Sequence, residues 1–131
     1  MAKHKGIEIK GFQEIYKNLG LIESEIVESA FKGIKKLGEV ILGESQKLVP
    51  VDTGTLKDSG TTQSSKKDHS VTISYNTPYA RKQHEDNTLN HPRGGQAKYL
   101  ERPFNEKAGE AESYIANELQ KKLRKKYQWH Y

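Results

Sequence analysis

The sequence predicts an α+β fold, and three observations predict it. Apolar residues recur every three or four positions from about Leu21 to Leu48 and again from Ala108 to Leu123, while Val71, Ile73 and Tyr75 alternate with Thr72 and Ser74. The first two patterns are those of amphipathic helices, the third that of a half-buried strand. The expected architecture is a long central helix and a C-terminal helix packed on one face of a small antiparallel sheet of about four strands. A long loop is expected near residues 83–98.

From the N-terminus, Ile7 and Ile9 alternate with charged residues as a short edge strand does. Phe12, Ile15, Tyr16 and Leu19 then fall at helical spacing, and Gly20 stands where a helix ends. In the long helix the stripe is Ile22, Ile26, Ala30, Ile34, Leu37 and Ile41, widened by Val27, Phe31 and Leu42. Gly33, Gly38 and Gly43 lie inside it, each costing ~1 kcal/mol of helix propensity relative to Ala. Close packing against a sheet or a neighbouring subunit is the expected reason.

Pro50 ends the helix, because its ring cannot extend the hydrogen-bond ladder and the residue before it is driven out of the helical region. The run Pro50-Val-Asp-Thr-Gly-Thr-Leu56 reads as a rigid corner. Asp52 can accept from backbone N–H groups beyond Thr53, Gly54 supplies freedom in φ, and Leu56 can plug the core. Thr61 to Ser65 and Val71 to Tyr75 read as the two strands of a hairpin, with Lys66 to His69 as its polar turn.

Asn76-Thr77-Pro78 breaks the second strand and delivers Tyr79 and Ala80. A polar stretch follows to Gln96, with His84, Glu85, His91-Pro92 and Gly94-Gly95 inside it. Loops this long in a compact domain commonly serve to reach a partner. Ala97 to Glu101, which includes Lys98 and Tyr99, is expected to return to the sheet as a short strand. Pro103 then opens the last helix, whose buried stripe is Ala108, Ala111, Ile115, Leu119 and Leu123.

At 131 residues the chain fits a single domain over residues 1–131, with a core at about 7–125 and a basic and aromatic tail at 121–131. Hydrophobic residues are 33% and charged residues 30%, a balance that favours a protein completed by its neighbours. The absence of cysteine excludes disulfides and thiolate metal sites. No run approaches the ~20 apolar residues of a membrane span, and the basic start leads into no signal core, so export is not expected. The net charge of +5 is concentrated in Lys121, Lys122, Arg124, Lys125 and Lys126, a candidate basic contact for phosphate or for an acidic neighbour. Basic residues at a helix C-terminus also complement its dipole.

Three constellations invite chemistry and fail on spacing. Asp52-Thr-Gly and Asp58-Ser-Gly carry the local signature of an aspartic protease, yet two aspartates on one corner cannot face each other across a symmetry axis. A long helix also stands where such a protease has an apolar strand. His84, Glu85, Asp86 and His91 match no zinc spacing. Gly94-Gly95 with Lys98 lacks the phosphate-loop pattern and its strand-to-helix setting. No catalytic, cofactor-binding or metal-binding residue is therefore nominated. Tyr79, Tyr99 and Phe104 are read as packing or interface aromatics rather than base-stacking platforms.

Taken in order, the long helix, Pro50-x-Asp52-Thr-Gly54-x-Leu56, a hairpin, Pro78-Tyr79-Ala80, and Tyr99-Leu-Glu-x-Pro103 before a last helix resemble the tail-completion or neck proteins of tailed bacteriophages, also called minor capsid or tail-component proteins. The resemblance spans roughly residues 7–125. It implies a structural virion protein at the head–tail junction, assembled in the host bacterial cytoplasm, and no enzyme. The implied partners are copies of itself in a ring, of roughly six subunits, and neighbouring neck, tail-terminator or tail-tube proteins. Tyr79, His84, Glu85, His91, Pro92, Gly94, Gly95, Lys98 and Tyr99 would form its interface loop. The alternative is a head-decorating accessory protein or one in non-specific contact with DNA; neither reading calls for a cofactor or a membrane.

Overall fold

The computed structural model describes residues 7–50, 55–77, 80–85 and 98–127. In chain order these form strand β1 (Ile7–Gly11), helix α1 (Ile15–Asn18), helix α2 (Ser24–Leu48), helix α3 (Thr55–Asp58), strands β2 (Gly60–Ser65) and β3 (Ser70–Tyr75), and helices α4 (Ala80–Glu85) and α5 (Glu101–Lys107). A single 3-10 turn at Ala108–Glu110 then leads into helix α6 (Ala111–Tyr127). The class is the expected α+β.

The sheet has the order β1-β3-β2, with both neighbours antiparallel to the central strand. Directly opposed residues share a face, so the pairings Ile7 with Tyr75, Ile9 with Ile73 and Thr62 with Ile73 set one face of the sheet toward α2. The other face carries Glu8, Lys10, Thr61, Gln63, Ser65, Ser70, Thr72 and Ser74 and no apolar side chain.

Helix α2 is the hub of the core. Ala30, Phe31, Ile34, Leu37 and Ile41 are buried along one stripe, and they meet Val71, Ile73 and Tyr75 from β3 and Ala111 and Ile115 from α6. Each large side chain so buried contributes about 1.5–3 kcal/mol of transfer free energy. Two of the three helix glycines mark close approaches. A Cβ at Gly33 would lie 2.7 Å from the carbonyl carbon of Tyr114, and one at Gly38 would lie 2.7 Å from Cγ1 of Val71. Gly43 faces open space.

Several expectations are corrected. The described residues form three strands rather than about four. Residues 98–100 are a turn and Glu101 opens a helix, so the return strand at Ala97 to Glu101 is absent. The left-handed φ of +59° at Lys98 reverses the chain there, which a strand cannot do. The stretch after Ala80 begins as helix α4 rather than as loop. The single last helix is two helices joined by the 3-10 turn, with Ala108 at the junction and Pro103 in the first turn of the shorter one. Ile22 precedes α2 instead of joining its stripe and is 91% exposed. Gly20 does close α1, with φ +73°.

Candidate interaction site

The chemically richest place in the molecule is where α4 meets the turn before α5. Four polar links tie them. The Lys98 N–H donates to the His84 carbonyl at 2.6 Å, and the Tyr99 hydroxyl donates to the Ala80 carbonyl at 2.6 Å. The Glu101 N–H donates to His84 Nε2 at 3.0 Å, and the Lys98 ammonium pairs with the Glu85 carboxylate. His84 Nδ1 lies 3.0 Å from Glu85 Oε2, and the His84 and Tyr99 rings meet edge to face at 5.0 Å. This clasp holds residues 85 and 98 together.

The local sequence explains the clasp. The positive φ of Lys98 turns its N–H back toward α4. Helix α5 starts without a side-chain cap from Leu100, leaving its first N–H groups to find acceptors, and the imidazole of His84 supplies one. Tyr99 is fully buried, with its ring against Tyr75 at 5.1 Å. Burial raises its phenol well above the ordinary value. Hydrogen bonds from Lys98 first and His84 second hold the Glu85 carboxyl below the usual carboxylate range, against a small opposing effect of burial.

The structure therefore divides the expected interface residues. His84 and Tyr99 are core members of the clasp, at 1% and 0% exposure, while Glu85 is exposed and Lys98 half-buried beside it. An open groove of about 330 Å³ runs past the clasp, lined by Lys98, Glu101, Arg102, Asn105 and Glu106. Tyr79, His91, Pro92, Gly94 and Gly95 lie outside the described residues, as does Asp86, so His84 and Glu85 are the described half of the cluster His84, Glu85, Asp86 and His91.

At the corner, Pro50 and Leu56 are buried, whereas Asp52, Thr53 and Gly54 lie outside the described residues. Gln46 of α2 reaches α3 and β3, its Nε2 donating to the Lys57 carbonyl at 3.1 Å and to the Tyr75 hydroxyl at 3.3 Å. Tyr75 OH and Ser45 Oγ share a 2.8 Å hydrogen bond inside the core. Ser59 closes the far side, donating to the Leu56 carbonyl at 2.8 Å and accepting from the Asn76 N–H at 3.2 Å.

The basic cluster is partly committed to the fold. Lys122 pairs with Glu25 at 2.6 Å, and Lys121 with Glu118 at 3.2 Å; Glu118, 8% exposed, also binds Lys36 of α2. Arg124 and Lys125 are exposed, and the Lys126 side chain lies outside the described set. Sequence reading also missed His69. Its ring lies edge-on to Tyr16 and Phe31, its Nε2 lies 2.9 Å from a Glu28 oxygen, and its carbonyl accepts from Tyr16 OH at 2.7 Å. No local motif signals a contact between residues 53 positions apart.

A family model described as "Bacteriophage HK97-gp10, putative tail-component" matches residues 13–83, more than half of the chain. The chain belongs to the HK97-gp10-like family. The match to this bacteriophage tail-component family covers α1, α2, the corner, the hairpin and the start of α4, and stops one residue before His84. Comparison with curated proteins and with solved structures gave no match. Among the described residues, no group of three or more His, Asp or Glu side chains is placed to hold a metal ion, and no helix is long and apolar enough to cross a membrane.

Proposed function

We propose that this HK97-gp10-like tail component acts at the head–tail junction as a tail-completion or neck protein, assembling into a ring of identical subunits through protein–protein contacts. The carrying observation is the clasp. It ties Ala80, His84 and Glu85 to Lys98, Tyr99 and Glu101, so the described residues on either side of positions 86–97 form one fixed base. A fixed stem lowers the ordering cost of presenting a segment to a partner. The alternation of charge on α2 and α6 suits contacts with neighbouring virion proteins more than catalysis.

On this reading the chain is a binding part rather than an enzyme, and its neighbours are neck, tail-terminator or tail-tube proteins. The pairing of Lys121 and Lys122 with carboxylates of the same chain favours protein contact over phosphate contact at that end. Deleting the gene from its phage tests the proposal. Filled heads and free tails that fail to join, rescued by the intact chain supplied in trans, are the expected result; joined and infectious particles would contradict it.

A further inference from the structure

We infer that His84 is a proton-sensitive latch, its neutral imidazole acting as the acceptor that caps α5 and couples it to α4. The hydrogen-bonding partners fix the protonation state. A backbone amide can only donate, so Nε2, 3.0 Å from the Glu101 nitrogen, must present its lone pair. The single proton of the neutral ring then sits on Nδ1, 3.0 Å from the acceptor-only carboxylate of Glu85. Both contacts select the same tautomer, and the ring is buried.

A second proton has one place to go. On Nε2 it would point at the Glu101 N–H, replacing a hydrogen bond with two opposed donors. The Nδ1 contact to Glu85 would survive, so protonation breaks the link to α5 while sparing the link within α4. The charged and titratable groups facing the ring are Glu85 on α4, Lys98 and Tyr99 in the turn, and Glu101 on α5, with Tyr75 of β3 behind Tyr99. Losing the cap leaves Lys98 and Tyr99 to hold α4 to the turn before α5. The latch thus makes the link between α4 and α5 dependent on proton concentration, and it does so whether or not the chain forms a ring.

The test is long-range imidazole nitrogen NMR on the isotopically labelled full chain, with amide hydrogen exchange followed at Glu101 through an acid titration. At slightly alkaline pH, Nδ1 of His84 is expected to carry the proton and Nε2 none. Protection at Glu101, its exchange rate taken against the intrinsic rate at each pH, should fall about tenfold as His84 takes its second proton, the loss of one hydrogen bond to a buried acceptor. His84→Gln, whose side-chain carbonyl can accept from the same amide without titrating, should remove that pH dependence. A proton on Nε2 in the neutral ring overturns the inference by itself. So does Glu101 protection that ignores the protonation of His84 while the fold persists.

Discussion

The backbone of Tyr114 occupies the space that a side chain on residue 33 would need. With Gly33 in α2, the carbonyl carbon of Tyr114 and the amide nitrogen of Ile115 come within 2.7 and 3.0 Å of where a Cβ would stand, and neither can swing aside as a side chain could. Helix α6 therefore lies against α2 at backbone contact. The ion pairs Lys122–Glu25 and Lys36–Glu118 flank the approach.

Two glycine substitutions should move stability in opposite directions. Gly33→Ala gains ~1 kcal/mol of helix propensity but must push two helices apart, and the expected net effect is a destabilisation of about 1–3 kcal/mol. Gly43→Ala meets nothing within 4 Å and should stabilise by about 0.5–1 kcal/mol. Urea denaturation of both variants beside the parent chain checks the pair. A stabilised Gly33→Ala would mean that α6 does not dock as described.

Acid should weaken the same seam. The Glu118 carboxyl is held below its ordinary value of 4.5, first by the hydrogen bond from Lys36, with burial pulling the other way and Lys121 adding to the lowering. Glu85 is lowered by Lys98 and His84, and Asp68 by Lys10 and Ser65. A carboxyl with a lowered folded value binds fewer protons in the native than in the unfolded chain. Its stabilisation is complete above the ordinary value and is lost as the pH falls through the folded one. Melting temperature should thus fall on acidification below about pH 4.5, and Glu118→Gln should flatten that fall while lowering stability near neutrality.

At the alkaline end the order reverses. Burial pushes the Tyr75 phenol up to about 12, with the bonds to Ser45 and Gln46 pulling it down only in part. Tyr16 is raised too, by burial and then by the charge of Glu28. A raised folded value means stabilisation that is complete below the unfolded pKa, about 10 for tyrosine, and lost as the pH climbs through the folded one. Ultraviolet titration should show Tyr16, Tyr75 and Tyr99 ionising late and together with unfolding, and Tyr75→Phe should remove one of these late groups.

The helices and the hairpin were legible because each announces itself within a short window. The period of Ala30, Ile34, Leu37 and Ile41, the break at Pro50 and the alternation of Val71, Ile73 and Tyr75 all depend on neighbours in sequence. Gly33 and Gly38 were readable as close approaches, though not which partner each would meet. The clasp was not legible, since it depends on contacts across the segment 86–97 and on a positive φ at Lys98, a residue type that gives no hint of that conformation. His84 looked like a loop residue because it stands in a polar stretch rich in Gly and Pro, and Tyr99 like part of a returning strand or an interface aromatic. Their burial comes from hydrogen bonds that only the folded chain supplies. The ion pairs of the basic run at the C-terminus were not legible either, for the carboxylates that pair with Lys121 and Lys122 sit at Glu118, one helical turn away, and at Glu25, on another helix.

The most direct test of a ring-forming role at the head–tail junction is the light-scattering mass of the purified chain, alone and mixed with the head-connector and tail-tube proteins of the same phage, at low and moderate salt. The account predicts a ring or a complex of defined stoichiometry with at least one of those neighbours. A monomer that joins neither of them under any of these conditions would contradict it.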